Sequence, residues 1–171
     1  FFVCCWSHSF YNFISTYGLY FCEFVDYYIK ENQEASEVLK LLFQSCRALT
    51  HKDLDRRMVR FVFEAKLIHL NGEITPLHEC VKCGTKEELT SLSVENGGLV
   101  CKQCMTHVND CIKLSSSAIY TLQYIMFSSI NKLYSFSVTE EVIKEIEFAM
   151  RCYIGRYIDK QFKSMEMLDV F

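Results

Sequence analysis

From Phe10 onward the large apolar residues fall at Phe13, Ile14, Tyr17, Phe21, Phe24 and Tyr28, returning to one face of a helix at 3.6 residues per turn. This spacing predicts an amphipathic helix ending near Glu31-Asn32. A second helical pattern covers Ala35 to Leu49, with Val38, Leu39, Leu42, Cys46 and Leu49 inward. A third covers Asp53 to Leu70, with Met58, Phe61, Val62, Ala65 and Ile68 inward. The periodicity stops between Asn71 and Asp110, a stretch that holds the chain's one proline, four of its six glycines and two pairs of cysteines. Helical spacing resumes behind Ser115-Ser116, which suit an N-cap, with Ile119, Leu122, Ile125 and Met126 inward. A last helix opens at Thr139, where Glu140 and Glu141 favour the N-terminus, and is expected to run to Phe162 or beyond. The expected architecture is mainly α: residues 1–70 and 111–171 form a helical bundle, and residues 71–110 form an inserted module with a short β-hairpin.

Composition narrows the class. The chain has 171 residues, 50% of them hydrophobic and 15% aromatic, with a single proline. Disorder, collagenous repeats and many-turned all-β folds are disfavoured. A net charge of −3 gives no global reason to bind nucleic acid, so such binding must rest on local patches. The first 22 residues carry no formal charge apart from His8, yet Ser7, His8, Ser9, Asn12, Ser15 and Thr16 break the apolar run, and a membrane or signal segment is not expected. The chain opens on Phe1 rather than Met, and the natural start is expected upstream.

Ten cysteines are present. Cys4, Cys5, Cys22, Cys46, Cys111 and Cys152 are scattered among apolar residues like core thiols, which suggests a reducing, cytoplasmic compartment. The other four form Cys80-x-x-Cys83 and Cys101-x-x-Cys104, separated by residues 84–100. Two such pairs match a tetrahedral four-thiolate zinc site, because each pair offers two sulfurs on one side and the intervening chain can return as a hairpin. Leu92-Ser93-Val94 reads as a strand, Glu95 to Gly98 as the turn and Leu99-Val100 as the return strand; Gly84 tolerates the positive φ that follows such a pair. With all four positions filled by sulfur there is no place for a catalytic water, so the expected zinc is single and structural. Sulfur ligation alone also admits iron. A thiol oxidoreductase using Cys80 and Cys83 is the competing chemistry, but it calls for one pair between a strand and a helix. His78 and His107 read as surface residues.

Two basic clusters are visible. Lys52, Arg56 and Arg60 are four apart, with Arg57 beside them, and Arg156, Lys160 and Lys163 follow at four and three, with Tyr153 adjacent. Aromatics among cations suit single-stranded nucleic acid or an acidic apolar peptide. The bland alternative is a solvated helix face, partly neutralised by Asp53, Asp55 and Asp159. The aromatic stripe Phe10, Phe13, Tyr17, Phe21, Phe24 and Tyr28 reads as core. There is no phosphate loop, G-x-S-x-G or H-E-x-x-H, so the motifs do not contradict a protein with no enzyme activity and no small-molecule substrate.

The run Phe63 to Gly72, then Pro76-Leu77, Cys80-x-x-Cys83-Gly84, Leu92-Ser93 and Gly97-Gly98-Leu99-Val100-Cys101-x-x-Cys104 resembles the C-terminal region of the bacterial RecO recombination mediators. The serine-rich start of the next helix, the closing Phe162-Lys163-Ser164 with Leu168, and the helical pair from Phe10 to Leu49 extend the likeness over most of the chain. Glu73 stands where the family has an aromatic, and Thr75-Pro76-Leu77 replaces its Pro-x-Leu. The family's N-terminal OB-fold has no counterpart before Phe10. The resemblance implies a non-enzymatic DNA repair protein that binds single- and double-stranded DNA, the partner RecR and the acidic C-terminal tail of single-stranded DNA-binding protein, and that promotes annealing and recombinase loading. It also implies a bacterial cytoplasmic setting, with association to the nucleoid during repair. The alternative is a helical zinc-ribbon adaptor that binds only proteins, which the net negative charge favours.

Overall fold

The computed structural model describes residues 2–29, 35–73 and 77–168, with side chains from residue 14 onward except that of residue 166. Among these the chain is mainly helical, as expected, with six α-helices and one small sheet. Helix α1 (Phe2–Tyr28) starts upstream of Phe10. Its expected end near Glu31-Asn32, and the side chains of Phe10 and Phe13, lie outside what is described. Tyr20, Phe21 and Phe24 are fully buried, and Phe21 stacks on Phe63 with ring centroids 4.1 Å apart.

Helix α2 (Ser36–Leu49) buries Val38, Leu41, Ser45, Ala48 and Leu49. The expected inward Leu39 is instead 58% exposed, because the buried face steps from Val38 to Leu41 to Ser45 and leaves Leu39 a quarter turn away. Helix α3 (Arg56–Leu70) is capped by Asp55, whose carboxylate accepts from the Arg57 amide at 2.8 Å. It is buried on nearly every side, with Phe61, Val62, Phe63, Ala65, Leu67 and Ile68 at 1% exposure or less. α1, α2 and two later helices pack around it, which places it at the centre of the fold.

The sheet is larger than the expected hairpin and runs past the expected module end at Asp110. Strands β1 (Leu89–Ser93) and β2 (Gly98–Cys101) are joined by β3 (Cys111–Lys113), giving an antiparallel sheet in the order β2-β1-β3. Three residues are too few to show alternation, so β3 was invisible to periodicity. The sheet has two different faces. Leu92 and Leu99 join the core of the helices, whereas Val100 and Cys101 belong to a separate small cluster with Cys80.

Helix α4 (Ser116–Phe127) begins where expected, with Ser115 Oγ accepting from the Ala118 amide at 3.1 Å. Helix α5 (Glu140–Tyr157) stops short of the expected Phe162: Ile158 is extended and α6 (Lys163–Leu168) is a separate short helix. The break lets Ile158 and Phe162 both turn inward, Phe162 packing among Tyr20, Phe24 and Tyr27 of α1. No helix among the described residues is long and apolar enough to cross a membrane.

Candidate metal centre and partner surfaces

Cys80, Cys83, Cys101 and Cys104 converge, their sulfurs all within 4.8 Å of one another. None is in a disulfide. Metal–sulfur bonds of about 2.3 Å at tetrahedral angles give sulfur–sulfur edges of about 3.8 Å, and Cys83 and Cys101 stand 3.8 Å apart. Two tight turns aim the thiols. Gly84, at φ 73°, closes the first by donating to the Cys80 carbonyl at 2.8 Å. The amides of Cys101 and Cys104 point at the sulfurs of Cys80 and Cys101, at 3.4 and 3.5 Å. Burial pushes the Cys80 thiol up, but the amides of Cys101, Lys82 and Cys83 outweigh it and bring it down to about 6. Cys104 is pushed the other way, by hydrogen bonding with the sulfurs of Cys83 and Cys101 and by burial. Four soft donors, one of them readily ionised, fit a single metal ion with no open coordination position.

The stretch expected as an insertion is held to the helices by specific polar contacts. Tyr153 donates to the Glu73 carbonyl at 3.1 Å, Tyr157 to the Val94 carbonyl at 2.6 Å, and Gln123 to the Leu77 carbonyl at 2.7 Å. Tyr153 is therefore 3% exposed and lies inside the fold, not among surface cations as its sequence position suggested.

The first basic cluster is not one helix face. Lys52 is exposed but precedes α3, in the turn before Asp55. Arg57 forks onto Asp55 and Glu140 at 2.7 and 2.6 Å. Arg60 turns inward: its Nε donates to Glu64 at 2.7 Å and its guanidinium lies 5.2 Å from the Tyr20 ring centroid. The Tyr20 hydroxyl completes the group by donating to Glu64 at 2.5 Å. Arg56 is half-buried and lies close enough to Tyr17 to act on its hydroxyl, along with Arg60. A four-residue spacing could not reveal that Glu64, one turn on, draws Arg60 into the core.

The second cluster is spread over three segments. Arg156, Lys160 and Lys163 are all exposed, but the break after Tyr157 puts them on α5, the connection and α6 respectively. Lys160 pairs with Asp26 at 3.3 Å across an exposed surface. Beside it opens a pocket of about 330 Å³ with Ile154, Ile158, Phe162 and Met165 in its wall and Arg151 and Lys160 as its cations. Arg151, absent from the sequence reading, could have been found by following Arg156 back along α5. The Lys163-Ser164 element has a structural use: Ser164 Oγ and amide both donate to Glu23 of α1, at 2.6 and 3.2 Å.

One more feature escaped the sequence reading. Tyr120, Tyr124 and Phe127 run along the outer side of α4, opposite its buried stripe, with Tyr120 at 69% and Phe127 at 60% exposure. Its signal was present as aromatics four and three apart, out of phase with Ile119, Leu122 and Met126.

Comparison with known proteins gives a consistent picture. The family model described as Recombination protein O C terminal matches residues 13–166. A DNA repair protein RecO of Acetivibrio thermocellus is 29% identical over 90% of this chain and 61% of its own length. One from Desulforamulus reducens is 28% identical over 90% of the chain and 60% of its own length, and one from Bacillus pumilus 26% over 92% and 61%. The chain thus spans about 60% of the length of the curated relatives it matches.

Proposed function

Because this chain belongs to the family of RecO C-terminal regions, we propose that it is the helical, metal-binding part of a non-enzymatic recombination mediator in DNA repair. The observation that carries this reading is the match to one family over residues 13–166, a span containing all four clustered cysteines. In this reading Cys80, Cys83, Cys101 and Cys104 hold one structural zinc, which fixes the sheet against the helices. The protein binds single- and double-stranded DNA, RecR and the C-terminal tail of single-stranded DNA-binding protein, and promotes annealing and recombinase loading.

The pocket beside Phe162 suits the tail. An acidic, apolar peptide end would set its side chains against Ile154, Ile158 and Met165 and its carboxylates against Arg151 and Lys160, with Arg156 and Lys163 on the surrounding surface. The Lys160–Asp26 pair is exposed and costs little to exchange for a peptide carboxylate. The experiment is peptide binding by a triple charge reversal, Arg156→Glu, Lys160→Glu and Lys163→Glu. Exposed charges contribute little to stability, so the variant is expected to fold and to lose affinity for an acidic tail peptide. Unchanged affinity at low salt, where electrostatic effects are largest, would remove the cluster from the proposed surface.

A further inference from the structure

The four cysteines of the cluster differ in what can reach them. Cys80 and Cys101 are buried, at 2% exposure each, Cys104 is half-buried and Cys83 is exposed. The buried two lie with Val100 in the small apolar cluster, against which Val81, Leu89, Met105 and Val108 pack. Cys83 stands at the open end of the first pair. Gly84 behind it is also exposed, and apart from its chain neighbours no atom lies within 4 Å of where a side chain would begin there. One sulfur of the site therefore faces solvent while its partners are shielded.

Cys101 stands behind that sulfur. It belongs to the other pair, on β2, where the register sets it against Leu89 of β1. Its amide donates to the Cys80 sulfur at 3.4 Å, and its own sulfur is 3.8 Å from that of Cys83. Among the described residues Cys22 of α1 is the other exposed thiol, and it stands outside the site. The two exposed thiols have similar access but unlike chemistry. A thiol bound to a metal ion is held deprotonated, and the thiolate is the form that attacks an electrophile, whereas an ordinary free thiol is mostly protonated at neutral pH. Access and ionisation together select Cys83.

We propose that Cys83 is the site at which a peroxide oxidises this protein, and that Cys101 converts the product into a Cys83–Cys101 disulfide that empties the metal site. The proposal rests on the structural-metal reading above and deepens it by naming a modification of that site. The Cys83 sulfur attacks one peroxide oxygen; the O–O bond breaks, hydroxide leaves and Cys83 becomes a sulfenic acid. The Cys101 sulfur then attacks the Cys83 sulfur; the S–O bond breaks, a second hydroxide leaves and the S–S bond forms. Two electrons pass from the sulfurs to the peroxide, and the hydroxides take up protons as water. The two sulfurs close from 3.8 Å to about 2.05 Å, so they no longer occupy two corners of a tetrahedral site. Cys80 and Cys104 alone do not make a closed set of donors. The step is a modification of the protein and not a turnover, and a thiol reductant reverses it.

The test uses the full zinc-loaded chain, hydrogen peroxide in small excess, a chromophoric chelator that reports released zinc, and mass spectrometry after alkylation of the remaining thiols. About one zinc is expected to leave for each Cys83–Cys101 disulfide formed, with Cys80 and Cys104 recovered as alkylated thiols. A dithiol reductant with added zinc should restore the starting state. Cys22→Ser and Cys111→Ser remove thiols outside the four and are expected to release zinc at the wild-type rate. A disulfide within either pair, a link from Cys83 to Cys111, which packs on the same apolar cluster, or Cys83 carried on to a sulfinic acid without any disulfide overturns the assignment. Oxidation of Cys22 ahead of Cys83, with the zinc retained, overturns it as well. Each of these outcomes leaves the structural-metal reading standing. A chain that holds no zinc before any oxidant is added refutes the metal reading itself, and this proposal falls with it.

Discussion

Glu64 shows how one side chain reorganises a surface. It is almost fully buried on α3, yet it accepts from Arg60 and from Tyr20, so a carboxylate, a guanidinium and a phenol share one pocket between α1 and α3. Burial works against charge on Arg60, but Glu64 and the nearby phenols hold it protonated, and burial with the Glu64 charge pushes the Tyr20 hydroxyl far up. Each member is tolerable only because the others are present. Glu64→Ala is therefore expected to cost about 3–5 kcal/mol, leaving a buried cation without its anion, whereas Tyr20→Phe should cost about 1 kcal/mol, the loss of one hydrogen bond. Urea unfolding of the two variants measures both; a cost below 1 kcal/mol for Glu64→Ala would mean that Arg60 finds water. The sequence displayed Arg60 as one of three cations at helical spacing. It hid the fact that α3 is central, so that no face of it reaches open solvent over its full length.

At the scale of elements, the helices were legible and their junctions were not. Asn71 to Asp110 interrupts the 3.6-residue repeat, and both cysteine pairs stand out by spacing, so the change of pattern and the clustering of the four cysteines could be read directly. The break after Tyr157 could not, because Ile158 and Phe162 keep an apolar rhythm that helix and turn satisfy equally. That break explains why Arg156, Lys160 and Lys163 lie on three segments. Several junctions are polar; among them, Glu23 receives Ser164 of α6, and Asp55 with Glu140 receives Arg57. Hydrogen bonds from Ser164 lower Glu23, and those from Arg57 lower Glu140; at Asp55, burial works upward but the bonds from Arg57 outweigh it. Carboxylates depressed in the fold add stability that is complete above their unfolded pKa values and is lost as pH falls through the folded ones. The contribution of these three carboxylates is thus expected to be level near neutrality and to decline below about pH 4, and the urea midpoint of Asp55→Asn should fall less steeply there than that of the wild type. The cysteine cluster has its own apolar patch around Val100, apart from the main core. Zinc binding in finger peptides is worth roughly 10–16 kcal/mol, as much as a whole domain's roughly 5–15. Cys101→Ser, or removal of the metal by a chelator, is expected to unfold the insertion first and leave most of the helical circular-dichroism signal. A single transition taking the helices with it would show that Leu92 and Leu99, which reach the main core, bind the two parts into one unit.

For the molecule as a whole, charge says little: a net −3 describes a protein in which local arrangement has to do the recognising. The described residues offer three unlike regions, namely a four-cysteine cluster, an apolar pocket lined also by Arg151 and Lys160, and a groove walled by Tyr120, Tyr124 and Phe136. The most direct test is the binding of labelled single-stranded DNA to the metal-loaded chain as a function of salt. Phosphate contact requires the logarithm of the affinity to fall linearly with the logarithm of salt, by about 0.7 for each phosphate neutralised on a single strand. A measurable affinity at low salt with such a slope is the expected result. No binding at low salt, from a chain that still captures an acidic tail peptide, would contradict the nucleic-acid reading and leave a protein-only adaptor in its place.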